Sequence, residues 1–499
     1  MFGVLLELIS GSSGLVWTLL VLVVAYYLWN RHQRLKSLPP GPTPLPLLGN
    51  ILNLAGSSDP LQTFRKLREK YGDLVTLHVG SYTIVVVSGY DTLRELFVKR
   101  GDVTSDRPNT FAFREITKGE GIVSRSGAEW KTQRTFAIGG LRDFGFGKKS
   151  LEGKIREEVE IFLMVLDVEE GKPLHPESFV QTSVANIICA IVFGKRFEHG
   201  DPTFIELLTL INENMSLVAP SGLLNFFPSL RYVPGDPAGC RKVLNNAEKI
   251  IKYLYNVIDA HQKDYDEENL KDFIDVYLKE LKDKEGQDTS FTVSQLMNTI
   301  ADMLIAGMET TTTTLLWAIL FFLNNPDVQK RCHEEVMKVV GEGRFPSLSD
   351  RSQMPYIEAT ITEILRCGNI VPLGVPHATS EDVHFKGHII PKGTMLMPNI
   401  VSVHTNPQKF PDPGKFNPSR FIDSDGKVSG TDHVISFFFG RRVCMGEALA
   451  RSELFLFLTS MVQRFQFKPE DPDNIPPVKG NLGITFKPCE YKCIAEKRV

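Results

Sequence analysis

The chain has 499 residues, and its 42% hydrophobic, 10% aromatic and 23% charged side chains are typical of a globular protein. This balance excludes an intrinsically disordered chain, a collagen-like fibre and a protein with many membrane spans. The 56 basic and 59 acidic residues leave a net charge of −3, which excludes the strongly basic surface that nucleic-acid binding requires.

An uncharged apolar stretch near the N-terminus runs from residue 8 to residue 29 and includes LVWTLLVLVVAYYLW. Its length of about 22 residues suffices for a helix that crosses a bilayer. Glu7 precedes the stretch and basic residues follow it, which is the reverse of a cleaved signal peptide. We therefore expect a luminal N-terminus and membrane anchor at residues 1–30, with the rest of the chain cytosolic. A buried core helix is the alternative.

The next segment carries the basic residues of a stop-transfer signal and then PPGPTPLP at residues 39–46. Each proline fixes its own φ and disfavours helix in the residue before it. Residues 31–46 are therefore expected to form a basic segment followed by a stiff hinge. A plain linker would show the same pattern. No Gly/Ser linker or repeat divides residues 47–499, so one body is expected there.

Helical periodicity dominates that body. Helices are predicted at residues 61–71, 90–100, 128–138, 151–166, 180–193, 203–217, 240–262, 272–281, 293–324, 326–340, 354–367 and 447–464. Short strands are predicted at residues 74–79, 83–87, 383–385 and 482–486. The fold class is therefore mainly α with a small β region, and no βαβ repetition is present.

Several motifs of common enzymes are missing. The sequence has no GxGxxG after a strand, no P-loop, no GxSxG elbow and no HExxH. If the protein is a redox enzyme, its electrons must therefore come from a partner. Seven cysteines without a CxxC pair favour a reducing compartment.

The strongest chemical motif is FFFGRRVCMG at residues 437–446, directly before a predicted helix. Cys444 lies between Gly440 and Gly446, and Arg442 precedes it by two positions. Glycines allow a close approach to a flat macrocycle, and a cation beside a helix N-terminus favours a thiolate. Cys444 is therefore predicted to ligate a haem iron. The alternative is an isolated structural cysteine.

With this loop, the anchor and the proline hinge, the whole chain resembles the cytochrome P-450 haem-thiolate monooxygenases, specifically the microsomal family-two enzymes. The resemblance implies the cytochrome P-450 fold and haem b as cofactor, with Cys444 as the metal ligand. It also implies NADPH used through NADPH-cytochrome P-450 reductase, cytochrome b5 as a further candidate partner, membrane lipid as the setting, and a catalytic domain on the cytosolic side of the endoplasmic reticulum membrane. Phe438 departs from the family, which commonly has serine there.

A second motif, AGMETT at residues 306–311, lies within the predicted helix 293–324. Gly307 in a helix interior costs about 1 kcal/mol, and the five threonines that follow Glu309 are poor helix formers. The residues alone favour a threonine that bonds back to its own helix. The resemblance instead implies a locally opened helix in which Glu309 and Thr310 pass protons to dioxygen.

Two further sets of charged residues depend on the resemblance. Glu363 and Arg366 have the i,i+3 spacing of an ordinary surface pair. The family implies that they join Arg420 in a buried structural cluster. Trp130 and Arg134 lie at i,i+4, and each is an ordinary surface or capping residue if taken alone. The family implies that they contact a haem propionate. The other positions that match propionate contacts in the family are Arg107, His377 and Arg442.

Substrate contacts also follow from the resemblance and are almost all apolar: Phe111, Phe113, Ile116, Ala306, Val371, Val375 and Ile484. Such a pocket favours a lipophilic substrate, although ordinary core packing predicts the same residue types. The segment 226–230 either dips into the membrane as a substrate door or forms an internal packing turn.

The expected function is a monooxygenase of the unspecific EC 1.14.14 type that hydroxylates or epoxidises fatty acids, steroids or xenobiotics. One alternative is a haem isomerase or dehydratase that rearranges a lipid hydroperoxide without a reductase. The other is a non-catalytic haem sensor or carrier at the membrane.

Overall fold

The computed structural model describes residues 22, 37–46, 48–55, 60–143 and 149–498. The expected anchor at residues 8–29 lies, apart from Leu22, outside the described residues. The α-helices in chain order are α1 (Ile51–Ala55), α2 (Pro60–Tyr71), α3 (Tyr90–Arg94), α4 (Phe111–Glu115), α5 (Gly127–Asp143), α6 (Lys149–Val168), α7 (Pro176–Val192), α8 (Pro202–Ser216), α9 (Val218–Phe226), α10 (Cys240–Lys263), α11 (Phe273–Asp283), α12 (Val293–Asn324), α13 (Pro326–Val339), α14 (Pro355–Gly368), α15 (Val401–His404) and α16 (Glu447–Arg464).

Shorter turns supplement these helices. A π-turn follows α3, and the 3₁₀ turns are Pro228–Tyr232, Leu348–Gln353, Pro418–Phe421, Thr431–His433 and Gly440–Arg442. The strands are β1 (Leu74–Val79), β2 (Tyr82–Ser88), β3 (Pro173–Leu174), β4 (His377–Ala378), β5 (Val383–Phe385), β6 (His388–Ile390), β7 (Met395–Asn399), β8 (Phe465–Pro469), β9 (Gly480–Leu482), β10 (Phe486–Pro488) and β11 (Cys493–Lys497). The mainly helical class with small sheets is therefore confirmed.

The largest described sheet has four strands in the order β1-β2-β7-β4. Strand β2 pairs antiparallel with β1 and parallel with β7, and the run from Ile84 to Val87 is buried. Strands that are covered on both faces read as continuous β-branched stretches, as this one does. The predicted strand at 482–486 is instead two strands, β9 and β10, which pair with each other around a bend at residues 483–485.

Helix α12 is the core of the helical layer and packs against α7, α10, α14 and α16. Among the described residues it is the one helix long and apolar enough to cross a membrane, but 78% of its apolar window is buried. A helix that is apolar on nearly all sides belongs inside a large protein or a membrane. Its burial against four neighbours makes it a core helix here.

The proline-rich segment lies on the body instead of bridging open space. The Thr76 backbone N–H donates to the Pro40 carbonyl at 3.0 Å, and Asn50 donates to the Pro42 carbonyl at 3.0 Å. A Cβ on Gly41 would lie 1.9 Å from the Thr76 carbonyl oxygen, so only glycine allows this contact. The expected stiff segment at residues 39–46 therefore contacts β1.

Candidate functional site

The predicted thiolate loop joins the Gly440–Arg442 turn to α16. The Cys444 N–H donates to the Phe437 carbonyl at 3.0 Å. Gly440 has a φ of 76°, and a Cβ there would lie 2.4 Å from the Phe97 carbonyl oxygen. Packing against the protein's own backbone thus already requires the first glycine of the motif. A Cβ added to Gly446 would lie 3.8 Å from the Cys444 Sγ, which is an ordinary van der Waals distance.

The Cys444 side chain is accessible, although protein atoms surround it closely enough that burial raises the pKa of its thiol. The backbone N–H groups of Gly446 and Glu447 and the Arg134 guanidinium act in the opposite direction on that pKa. The sulfur is therefore open to a ligand on one side and close to protein atoms on the others. The start of α16 aims its N–H groups at the sulfur, which suits a thiolate.

Phe438, the residue that departs from the family, has a left-handed φ of 58°. Its ring packs edge to face on Phe97 and on His377 and stacks on Phe439. In place of a hydroxyl, this chain therefore has an aromatic cluster behind the loop.

Arg442 is buried and points away from solvent. Its guanidinium donates to three backbone carbonyls, those of Ser105 (2.8 Å), Ile122 (3.1 Å) and Arg125 (2.6 Å). It also lies 3.7 Å from the centre of the Trp130 ring, a cation–π distance. Two of its five N–H groups remain available for a further acceptor.

Arg107 and Arg134 approach the same region. Arg107 donates to the carbonyls of Val123 (2.9 Å) and Pro376 (2.7 Å). Arg134 lies one helical turn after Trp130 on α5 and donates to the Val443 carbonyl beside Cys444. These positions bring three guanidinium groups, one indole and the thiolate loop together.

Aspartates act on two of the three guanidinium groups without reaching ion-pair distance, Asp302 on Arg107 and Asp106 on Arg442. Among the described residues none of these guanidinium groups forms an ion pair with a carboxylate. Burial and repulsion from Arg107 and Arg134 lower the pKa of Arg442 to about 8, and burial lowers the pKa of Arg107 to about 10. The Nε1 of Trp130 is buried without a hydrogen-bond partner. This donor set fits a bound dianion, as the two propionates of haem would supply.

His377 completes the set from the first position of β4. Its Nδ1 lies 2.8 Å from the Thr104 carbonyl. Burial, together with the charges of Arg107 and Arg442, lowers the pKa of His377 to about 3. The imidazole is therefore neutral, with Nδ1 donating to Thr104, and a proton on Nε2 would require an anion beside it.

On α12 Ala306 is exposed, and Asp302 and Thr310, one turn before and one turn after it, are partly exposed; this face is called the open strip. The Thr310 hydroxyl donates to the Ala306 carbonyl at 2.7 Å, and α12 is regular throughout. The expected opening of the helix is therefore absent. The glycine has another explanation, since a Cβ on Gly307 would lie 2.4 Å from Ile188 of α7.

Glu309 is buried and turns toward the bend between β9 and β10. It accepts hydrogen bonds from the hydroxyls of Thr485 (2.7 Å) and Thr313 (3.3 Å). Thr485 follows Ile484, one of the expected substrate contacts, so this bond fixes the bend that presents Ile484.

Asp302 belongs to the site although no sequence motif indicates it. Its Oδ2 accepts the N–H groups of Ile122 (2.7 Å) and Val123 (2.8 Å), whose carbonyls hold Arg442 and Arg107. Burial raises the pKa of Asp302 to about 6. An aspartate inside the apolar run of α12 is the signal that could have identified it. It anchors the segment on which two of the three arginines depend.

The cluster of Glu363, Arg366 and Arg420 is assembled as the family implies. Glu363 is 0% exposed and pairs with Arg366 at 2.7 Å and with Arg420 at 3.1 Å. It also accepts the Asn417 N–H at 2.8 Å, while Arg366 donates to the His404 carbonyl at 2.9 Å. Every charge in this cluster has a partner within the protein.

The expected substrate contacts divide into two groups. Ala306, Val375 and Ile484 are exposed, and Phe113, Ile116 and Val371 are partly exposed. Phe111 is 4% exposed and packs with Leu224 and Ala238, and its contact with substrate stays a prediction. Phe226 and Phe227 are partly exposed and pack at the edge of the cluster around β1 and β2, where the Phe226 ring meets Tyr82 edge to face; this contact favours the packing turn over the substrate door.

Comparison with known proteins settles the family. The sequence model described as "Cytochrome P450" matches residues 39–495. This chain belongs to the cytochrome P450 family. It is 40% identical to cytochrome P450 2C1 of Oryctolagus cuniculus over 91% of this chain and 93% of the relative. The identity is 38% to cytochrome P450 2B19 of Mus musculus (91% and 92% covered) and 38% to cytochrome P450 2U1 of Homo sapiens (94% and 91% covered).

These matches confirm the family-two resemblance and, with it, the classification as an oxidoreductase of the EC 1.14.14 monooxygenase type. The P450 family uses haem bound through a thiolate, with NADPH supplied through a reductase in family-two enzymes. The relatives are microsomal, which associates the chain with the endoplasmic reticulum membrane. The unpaired arginines and Trp130 Nε1 are the features of this structure that fit the cofactor.

Proposed function

We propose that this P450 inserts one oxygen atom into a C–H or C=C bond of a lipophilic substrate. In the balanced hydroxylation, substrate, O₂, NADPH and a proton give the alcohol, water and NADP⁺. The second oxygen atom leaves as water, and the two electrons come from NADPH through a flavoprotein reductase. The observation that carries the proposal is the accessible Cys444 thiol beside a buried set of cations without carboxylate partners.

Haem b would be held by the sulfur of Cys444, and its propionates would be held by Trp130, Arg134, Arg442, Arg107 and His377. When bound, a thiolate-ligated haem favours cleavage of the O–O bond. The residues of this chain then have three tasks. They neutralise the propionates, keep bulk water away from the apolar site, and supply protons.

Protons would reach dioxygen through the open strip of α12. The Thr310 hydroxyl is accessible there and lies on the same face as Ala306. To donate a hydrogen bond away from the helix, the Thr310 hydroxyl must break its bond to the Ala306 carbonyl, which requires rotation of the Thr310 side chain alone. Glu309 accepts hydrogen bonds from the Thr485 and Thr313 hydroxyls, and it would act as the acid that returns a proton to Thr310.

The substrate would be bound mainly by burial of apolar surface. The accessible side chains Ala306, Val375 and Ile484 offer no charge, and Phe113, Ile116 and Val371 extend the apolar wall. This composition suits fatty acids, steroids or aromatic xenobiotics. The candidate electron donors are NADPH-cytochrome P-450 reductase and cytochrome b5.

The membrane side would be marked by exposed apolar residues next to the N-terminal segment. Leu45, Leu48 and Leu52 are each about half exposed, at 46%, 47% and 58%, and Leu223 precedes the turn that packs on Leu54. Removal of residues 1–29 should leave haem binding intact and weaken membrane partition. Complete solubility of that variant would argue against a second membrane contact at these leucines.

The central test is the ferrous carbon monoxide spectrum of Cys444→Ser. The parent should show the strongly red-shifted Soret band of a thiolate adduct, and the variant should lose it together with NADPH-dependent product formation. Cys489→Ser, which alters another free cysteine, is the matched control and should keep the band. A red-shifted band in Cys444→Ser would contradict the assignment. Product formation without reductase or NADPH would instead favour the isomerase alternative.

Proton delivery is tested by Thr310→Ala. This variant should consume NADPH at a substantial rate while it releases hydrogen peroxide in place of product, with little change in substrate affinity. Product formation driven by added peroxide should be partly spared. A parent-like ratio of product to NADPH would rule out the role of Thr310.

A further inference from the structure

A second buried carboxyl lies beside the threonines of α12 and has no part in the function proposed above. Glu453, on α16, is 1% exposed and forms no ion pair among the described residues. Its Oε2 accepts the Thr311 hydroxyl at 2.8 Å, and its Oε1 is buried without any partner. Thr311 is itself 3% exposed.

The hydrogen bond joins two helices that matter for the proposed chemistry. Helix α16 begins directly after the Cys444 loop, and Thr311 follows Thr310 in α12. The run of threonines is thereby largely explained. Thr311 and Thr313 each donate to a buried carboxyl, Glu453 and Glu309, while Thr310 and Thr314 bond back to their own helix.

We propose that Glu453 is a positioning residue for the turn of α12 that carries Glu309 and Thr310, and that it acts as a neutral carboxylic acid. It fixes that turn relative to α16 through its bond to the Thr311 hydroxyl. This role rests on the proposed monooxygenase function, since proton delivery needs Thr310 in one place.

The surroundings support the neutral form. Burial raises the pKa of Glu453 to about 8, and the Thr311 hydroxyl is the one group that opposes this shift. Among the described residues of α6, α12, α13, α14, β8 and the 3₁₀ turn Leu348–Gln353, which pack against α16, no charged or titratable group acts on Glu453. An ionised carboxylate there would be buried without a counter-charge, which is costly.

The direction of the pH dependence follows from this pKa. The carboxyl binds its proton more tightly in the folded state than at its ordinary pKa of 4.5. Its contribution to stability is therefore full below pH 4.5, falls as the pH rises from 4.5 to about 8, and changes no further above that. Glu453→Gln, which is neutral at every pH, should lack this dependence.

The experiment compares Glu453→Gln, Glu453→Leu and Thr311→Val in the haem-loaded protein with reductase and NADPH. The substrate is whichever of lauric acid, testosterone and 7-ethoxycoumarin gives the largest spectral shift. Glu453→Leu and Thr311→Val should lower the ratio of product to NADPH by about threefold or more and release peroxide, because a small misplacement is costly in catalysis. Glu453→Gln should retain the parent ratio. The control Thr459→Val removes a buried α16 hydroxyl that bonds its own helix, and it should also keep the ratio.

The melting temperature of the ferric protein gives a readout without turnover. The melting temperature of the parent should fall relative to that of Glu453→Gln between pH 5 and pH 8 and run parallel to it above pH 8. A constant difference would show an ionised carboxylate and overturn the proposal. Parent-like ratios in Thr311→Val would also overturn it, even if Glu453→Leu failed to load haem. A parent that forms no product overturns the monooxygenase function alone, because the melting data still decide the state of Glu453.

Discussion

The two groups of buried arginines in this molecule differ in the source of their counter-charge. Arg366 and Arg420 share Glu363, and backbone carbonyls take up further N–H groups. Arg107, Arg134 and Arg442 have carbonyl partners but no carboxylate among the described residues. A buried charge needs a partner. The first group is therefore complete in the protein alone, and we expect a ligand to complete the second.

This difference predicts separate consequences of mutation. Damage to the complete cluster should act on folding, since it leaves an unpaired charge in the interior. Damage to the incomplete set should act on retention of the cofactor. The following changes test the distinction, from the largest expected effect to the smallest.

Glu363→Ala should abolish accumulation of haem-loaded protein. It leaves Arg366, which is 2% exposed, without its carboxylate, at a cost of about 3–5 kcal/mol. Haem content per polypeptide and the yield of soluble protein are the measurements. A well-folded variant with normal haem content and a selective loss of turnover would show that Glu363 takes part in the chemistry.

Arg134→Leu should release haem about thirtyfold faster than the parent, because a buried charge pair loses one member. Transfer of haem to excess apomyoglobin measures the rate. The matched control is Arg451→Leu, which removes an i,i+4 pair with Glu447 at the start of α16 and should change the rate less than about twofold. Equal rates in both variants would remove Arg134 from the propionate site.

Trp130→Phe keeps an aromatic ring under Arg442 and removes only the N–H that lacks a partner. Haem loss should accelerate by about tenfold while the thermal stability changes little. The control is Trp317→Phe, whose Nε1 donates to the Phe486 carbonyl at 2.8 Å. That variant should lose about 1 kcal/mol of stability and keep the parent rate of haem loss. Faster haem loss in Trp317→Phe, with a parent-like rate in Trp130→Phe, would refute a role of Trp130 in holding the cofactor.

Two histidines extend the comparison to acid pH. Burial lowers the pKa of both His377 and His404 to about 3, so each stabilises the fold fully above pH 6.5 and loses that contribution as the pH falls toward 3. Between pH 6.5 and 5.5 each should contribute a loss of about 1 kcal/mol. In the haem-loaded protein a propionate beside His377 should raise its pKa and reduce this loss.

His404→Gln should consequently flatten the acid dependence of denaturant unfolding more than His377→Gln does. His404 accepts the Ile435 N–H and lies behind the complete cluster, where no ligand reaches it. Equal flattening by the two substitutions would argue against an anion beside His377.

The sequence by itself determined the local parts of the site. Cys444 lies within four residues of its two glycines, so the loop motif itself indicates it. The pairs of Glu363 with Arg366 and of Trp130 with Arg134 have helical spacing, but their roles came from the family resemblance. The sequence also determined the mainly helical class, because the 3.6-residue period needs no distant contact.

Tertiary structure decided which groups complete these motifs. Arg442 bonds to the carbonyls of Ser105, Ile122 and Arg125, and Asp302 holds the amides of Ile122 and Val123. Nearly every residue carries the same backbone N–H and C=O groups, so no sequence pattern indicates which of them will bond to Arg442 or Asp302. Gly307 and Glu453 follow the same logic. Gly307 leaves room for the side chain of Ile188, and Glu453 accepts a hydrogen bond from Thr311, which lies 142 residues earlier in the chain. Only the packing of helices brings such positions together.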